Sequence, residues 1–241
     1  MKQFLSILIL ALSVAAAAQD TAFGVKGGPL LGVQQWNGFE QDLLISYHAI
    51  AFVESVDENN DFSVFAQAGY HVRGSAHRNQ RFQTVGGDFY RPPTRNFEFR
   101  NIALTLGGKQ KKDLGVNGNK WYYGFGVRGE YTVSTNLKVY EEGNNLTFPG
   151  FYPIDFYVNK FNYGIYASGG LEIPFSDLVG GIVELSINPD FSKQYDQPEI
   201  GNVLNPFNPG TPRTIQERSI RNVTVELTVG LRFLRRVIVL D

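Results

Sequence analysis

The stretch from Trp121 to Val133 reads WYYGFGVRGEYTV, and it decides the fold class. Aromatic and aliphatic side chains dominate the odd-numbered positions, whereas the even-numbered positions include Arg128, Glu130 and Thr132. Strict alternation with a period of two is the signal of a β-strand, because successive side chains point to opposite sides of a sheet. The stretch therefore predicts one strand with an apolar face and a polar face.

The same period recurs along the rest of the chain. It covers seven further segments, at 23–33, 45–54, 62–73, 96–108, 161–173, 179–188 and 222–233. The alternation slips near Arg100 and Asn101, where we expect a β-bulge. Most segments exceed the usual 5–6 residues of soluble strands and match the roughly 9–11 that a tilted strand needs to cross a membrane. The sequence predicts an all-β fold, an eight-stranded antiparallel up-and-down transmembrane barrel.

The connections between these segments alternate in length. Those near 74–95, 136–157 and 190–217 are long, although the first of that set, at 34–41, is short. Those near 55–61, 109–119 and 174–178 are all shorter. Outer-membrane barrels have short periplasmic turns and longer extracellular loops. The pattern predicts that both chain ends are periplasmic.

The N-terminus has the form of a secretory signal peptide. Lys2 precedes an apolar run from Phe4 to Val14, and four alanines lead to Gln19. We expect cleavage after Ala18, which leaves residues 19–241 as the barrel. The chain is rich in Gly, Phe and Tyr and has a mean hydropathy of −0.17, with no second apolar run long enough for a membrane helix. This composition predicts a barrel in the outer membrane of a Gram-negative bacterium.

A soluble lipocalin-like barrel that binds a ligand is an alternative, because alternation does not reveal which face is inside. Aromatic residues near the strand ends favour the membrane barrel, in which they would form girdles at the two interfaces. The predicted girdle residues are Phe62, Trp121, Tyr123, Tyr131, Phe161, Tyr163 and Phe233.

The polar face carries charges of both signs. An eight-stranded barrel has an interior that side chains fill, and an unpaired buried charge is strongly unfavourable. We therefore predict a lumen plugged by a paired network of Lys26, Glu54, Arg73, Arg128, Glu130, Glu172, Glu184, Glu226 and Arg232.

No motif predicts catalysis or a cofactor. Gly124 to Gly129 matches G-x-G-x-x-G, but it lies inside a strand with no following helix, so it does not predict nucleotide binding. A barrel hydrolase remains an alternative if His71, Ser75 and His77 meet at one rim. We predict no enzyme activity, no cofactor, no metal and, with a net charge of −1, no nucleic-acid partner.

The two long connections near 74–95 and 190–217 offer exposed surface that neither faces lipid nor fills the lumen. Arginine and aromatic residues, which binding surfaces favour, occur in both loops. The candidate surface for an envelope protein partner consists of Arg81, Phe89, Tyr90, Arg91, Tyr195 and Phe207.

Three stretches resemble the PorT-like, OmpA-type outer-membrane barrels of Bacteroidetes. They are Phe23 to Gly28 (FGVKGG), Ala167 to Glu172 (ASGGLE) and the closing strand Val223 to Phe233. The resemblance implies an eight-stranded outer-membrane barrel that serves a structural, interaction or secretion-associated role. Such barrels usually end on an aromatic residue, whereas here eight residues follow Phe233.

Overall fold

The computed structural model describes residues 20–37, 41–56, 61–78, 82–83, 89–91, 93–115, 118–141, 152–205, 208 and 210–236. The predicted signal peptide lies outside these residues. Eight long strands form the main sheet: β1 Asp20–Trp36, β2 Asp42–Val56, β3 Phe62–His77, β4 Arg95–Asp113, β5 Lys120–Thr135, β6 Phe161–Pro174, β7 Val179–Pro189 and β8 Arg218–Arg235.

The eight strands close into a ring. Each strand pairs antiparallel with the next along the chain. The last strand, β8, pairs antiparallel with the first, so that Thr21 lies opposite Arg235 and Trp36 opposite Ile220. The predicted eight-stranded up-and-down barrel is confirmed.

Two pairings are irregular. Between β4 and β5 the register shifts from Arg100 opposite Ser134 to Asn101 opposite Thr132, which leaves Val133 of β5 as the extra residue. A bulge occurs at the predicted level, but it lies on the partner strand, so β4 keeps its alternation through Phe99, Asn101 and Ala103. The second shift lies between β2 and β3, in the segment from Leu43 to His48.

Beside that second shift, β3 approaches β4 closely at Gly74. This residue has φ +154°, and a Cβ there would lie 1.8 Å from the carbonyl oxygen of Phe97. Only glycine fits this close approach of two backbones.

The short connections and both described chain ends lie at one end of the barrel, which we call the periplasmic end by the loop-length rule. The longer connections at the extracellular end carry short elements. These are the pair Phe82–Gln83 and Phe89–Tyr90, the pair Ile200–Leu204 and Pro212–Ile215, the strand Tyr195–Gln197 on the edge of β8, helix α1 Lys138–Glu141 and a 3-10 turn Asp155–Tyr157. None of the helices in the described part of the chain is long and apolar enough to span a membrane.

Candidate functional site

The two faces of the barrel differ sharply in polarity. On β5, Phe125 and Val127 are 63% and 65% exposed on the outside, whereas Arg128 and Glu130 are 3% and 4% exposed on the inside. An apolar exterior around a charged interior is the reverse of a water-soluble barrel. The structure therefore argues against the lipocalin-like alternative.

The predicted girdle residues all lie on the outer wall near strand ends. Phe62, Trp121, Tyr123 and Phe233 are near the periplasmic end, and Tyr131, Phe161 and Tyr163 are near the extracellular end. Neighbouring rings are in contact in places; Tyr131 and Phe161 have centroids 5.0 Å apart. These positions match the interfacial belts of membrane barrels.

The lumen contains all nine residues of the predicted charge network, and each of them forms an ion pair. It also contains three charged residues that the sequence analysis missed, namely Lys109, Lys111 and Asp190. Among the described residues the interior below the aromatic residues at its extracellular end holds six cations and six carboxylates: Lys26, Arg73, Lys109, Lys111, Arg128 and Arg232 with Glu54, Glu130, Glu172, Glu184, Asp190 and Glu226. A further buried cation, Arg218, lies at that extracellular end over the ring of Trp36.

The layer nearest the periplasm is centred on Glu54. Its carboxylate accepts a hydrogen bond from Lys109 Nζ at 3.0 Å and from Ser63 Oγ at 2.9 Å, and it also pairs with Lys111. Lys111 Nζ in turn lies 2.9 Å from Glu172. Glu54 is thus shared by two lysines and Lys111 by two carboxylates, which offsets the cost of removing these charges from water.

Glu184 organises the middle of the lumen. It accepts hydrogen bonds from Lys26 Nζ at 2.7 Å, Tyr122 OH at 2.7 Å and Tyr166 OH at 2.6 Å. The two phenol rings and Phe52 fill the space around the charges, and Lys109 Nζ lies 4.5 Å from the Tyr122 ring centroid. Aromatic rings and paired charges together occupy this section of the lumen.

Two histidines stack above that layer. The rings of His48 and His71 are 5.5 Å apart at an interplanar angle of 6°. His71 Nδ1 is 3.0 Å from Glu226, and His48 Nε2 is 2.9 Å from Thr228 Oγ1. Ser75 Oγ donates a hydrogen bond to the amide oxygen Oε1 of Gln34 at 2.7 Å. A hydrolase nucleophile would instead need a general base as its partner.

Arg73 anchors the layer nearest the cell exterior. Its side chain is fully buried, 3.0 Å from Glu130 and 2.9 Å from Asp190. Asn222 Nδ2 donates to Asp190 at 3.2 Å and to Gln194 at 3.0 Å, which extends the network into polar amides. The carboxylates on both sides of Arg73 hold its guanidinium in place.

An aromatic cap covers this layer outside the membrane-spanning wall. It consists of the buried residues Phe97, Phe99, Leu137, Tyr152, Val158, Tyr195 and Ile220, with Trp36, Tyr140 and Tyr157 packed against them. The Arg95 guanidinium carbon lies 4.1 Å from the Tyr152 ring centroid. The cap is a small hydrophobic core built from strand ends and loop residues.

Tyr195 corrects one prediction. It was expected on the exposed partner surface, but it is completely buried in the aromatic cap. Burial raises the pKa of Tyr195 to about 12, and its protonated hydroxyl donates to Gln197 at 2.7 Å while accepting from the Ile154 amide at 3.0 Å. The loop residue thus belongs to packing rather than to accessible surface.

The rest of the predicted partner surface divides into two groups. Phe89 and Arg91 are exposed, the former by 76%. Arg81 and Phe207 lie outside the described residues, and of Tyr90 only the backbone is described.

The G-x-G-x-x-G sequence was predicted to lie inside a strand, and the structure places it there. All six residues lie in β5, and a Cβ on Gly126 would lie 2.6 Å from the Leu106 carbonyl oxygen of the neighbouring strand. No group of three or more metal-ligating side chains occurs within the described ranges.

Comparison with solved structures places the fold among outer-membrane barrels. The outer membrane protein OprG from Pseudomonas aeruginosa is 12% identical, with 90% of this chain and 96% of OprG covered and a TM-score of 0.50. Neisserial surface protein A is 11% identical (89% and 96% covered, TM-score 0.47), and Ail of Yersinia pestis is 10% identical (88% and 99% covered, TM-score 0.42). No protein-family model and no curated protein matches the sequence. At this identity the likeness to OprG shows the fold alone.

The closed ring, apolar exterior, aromatic rims and charged interior together define the class. An even number of antiparallel strands with this distribution of polarity is the architecture of bacterial outer-membrane barrels. The protein is therefore an outer-membrane β-barrel of a Gram-negative cell.

Proposed function

We propose that the protein is a non-enzymatic structural or interaction component of the cell envelope whose barrel conducts no solutes. The single observation that carries this proposal is the balance of six cations and six carboxylates inside the barrel below the aromatic cap. An eight-stranded wall leaves an interior that side chains can fill, and here paired charges and aromatic rings fill it. The apolar outer wall would anchor the protein in lipid, and the two ends of the barrel would remain accessible to partners. Export would require removal of a leader after Ala18.

Planar-bilayer recording tests the plug directly. We expect no stable conductance steps from the purified, folded barrel, while a general porin in the same membranes serves as the positive control. The control variant Arg100→Ala removes an ion pair with Glu98 on the outer wall, and it should likewise show no conductance steps. Large, reproducible open-channel steps from the unmodified protein would refute the plugged lumen.

The extracellular end is the surface on which we place an envelope protein partner. Phe89 and Arg91 are exposed there and supply the aromatic and cationic anchors that interfaces favour. The resemblance to PorT-like barrels extends the proposal to a secretion-associated partner.

Crosslinking in intact cells tests this partner surface. The double variant Phe89→Ala/Arg91→Ala should insert normally and lose its crosslinked partner and any associated secretion phenotype. Asp113→Ala, at the exposed periplasmic end of β4, is the control and should keep both. Retention of the partner by the double variant would move the interaction away from these residues.

A further inference from the structure

The periplasmic mouth of the barrel contains a cavity at the end opposite the aromatic cap. Its volume is about 300 Å³, which lies at the small end of the range for ligand sites. Val56, Ile173, Leu178 and Leu234 contribute apolar wall, and Arg232 lies among the charged residues at the inner end. The cavity thus combines apolar walls with a charged floor.

Arg232 is incompletely satisfied in this floor. Its Nε is buried and makes no hydrogen bond, and the Glu172 oxygen with which it pairs is 3.8 Å away. Glu172 is instead held by Lys111 Nζ at 2.9 Å, and Lys111 is also paired with Glu54. The Arg232 side chain is 17% exposed, so the accessible part of its guanidinium can pair with an oxyanion that enters the cavity.

The charges around the opening limit what that acceptor can be. Asp20, Asp61 and Asp177 line the cavity together with the cations Lys120 and Arg236. With Glu172 and Lys111 included, the lining carries four carboxylates and four cations, so it offers no excess positive charge to a multiply charged phosphate, whereas a single oxyanion can pair with Arg232. The apolar wall would cover an uncharged hydrocarbon part of the same ligand.

We propose that this cavity binds a single carboxylate carried on a small apolar group, with the carboxylate on Arg232. The carboxyl-terminal residue of a periplasmic peptide and a short-chain fatty acid share this chemistry. The site is separate from the extracellular surface proposed above and does not depend on it.

Titration of the detergent-folded, full-length barrel tests the site. The probes are N-acetyl-leucine, its neutral amide N-acetyl-leucinamide, hexanoate and inorganic phosphate, each followed by calorimetry. We expect saturable binding of N-acetyl-leucine that is at least tenfold weaker for the amide. Tighter binding of N-acetyl-leucine than of hexanoate would assign the site to peptide ends, and the reverse order would assign it to fatty acids.

Substitutions test whether N-acetyl-leucine binds in this cavity. Arg232→Gln should weaken N-acetyl-leucine binding at least tenfold, and Arg232→Lys should weaken it less because the charge is kept. Arg221→Gln removes an exposed arginine near the other end of the same strand and should bind as the unmodified protein does. If Arg232→Gln does not fold, Leu178→Asp supplies the same test, because it adds a carboxylate to an exposed wall position and should also weaken binding.

The proposal would be overturned by the absence of saturable binding to the unmodified barrel, by equal binding of N-acetyl-leucine and its amide, or by Arg232 and Leu178 variants that bind as tightly as the unmodified protein. Binding of phosphate as tight as that of N-acetyl-leucine would also overturn it, since the cavity would then be a general anion site.

Discussion

Arg73 illustrates how single residues hold the lumen together. The guanidinium is fully buried and lies between Glu130 of β5 and Asp190 just beyond β7. Removing one partner from a buried ionic cluster leaves the others without compensation, which costs more than the pair itself contributes. Arg73 therefore neutralises Asp190 and shares the neutralisation of Glu130 with Arg128.

Replacement of this arginine should destabilise the barrel. We expect Arg73→Ala to lower the free energy of unfolding by about 3–5 kcal/mol, because Asp190 loses its ion pair and Glu130 keeps only the pair with Arg128. Urea titration of the protein in liposomes, followed by the gel shift between folded and unfolded forms, measures the change. The control Arg100→Ala removes a half-exposed ion pair and should cost at most about 1 kcal/mol. Equal effects of the two substitutions would contradict the argument.

The lumen residues that the sequence could predict are those inside clear alternation. Lys26, Glu184 and Glu226 fall on the polar face of regular segments, so their inward orientation follows from the period. Lys109 and Lys111 were missed because β4 continues past the paired glycines that seemed to end it at 108. Asp190 was assigned to a loop, and its role depends on a non-local contact with Arg73 that no local pattern encodes.

At the level of elements, β5 shows why the outer wall must remain apolar. Val127 is 65% exposed, with Leu106 and Ile165 beside it on the neighbouring strands. The surrounding solvent at this height is hydrocarbon, so an exposed apolar side chain is satisfied there and a charged one is not.

A charge introduced at this position should be costly. We expect Val127→Arg to destabilise the folded barrel by about 2–4 kcal/mol if the site is near the bilayer midplane. The same measurement on Gln35→Arg, at the exposed extracellular end of β1, should show a change of at most about 1 kcal/mol. Full folding of Val127→Arg in water without lipid or detergent would argue against a membrane wall.

The aromatic cap is the element that the sequence did not predict. Its members come from the ends of β1, β4 and β8, the segment from Leu137 through helix α1, and the segments near Tyr152, Val158 and Tyr195. Each contributes one or two side chains without a period, so no window of the sequence contains the pattern. Proline and polar residues around Tyr195 predicted exposed surface, but the contact with Ile154 draws this tyrosine inward.

For the whole molecule, strand number, order and closure were all predictable because they rest on the repeated period and on loop lengths. The eight segments became eight strands, with bounds extended by a few residues at most ends. What the sequence could not supply was the pairing of charges across the lumen, since partners such as Lys26 and Glu184 are separated by most of the chain.

Closure of β1 on β8 has a consequence for the order of folding. Phe23 lies opposite Phe233, so the seam joins the first strand that the ribosome makes to the last. A sheet in which β8 has not yet paired with β1 has two unpaired edges, which are sites for aggregation. The loop that the seam closes spans nearly the whole chain, and contacts of this range form slowly. Assembly of the barrel must therefore protect the unpaired edges of β1 and β8 until these two strands pair.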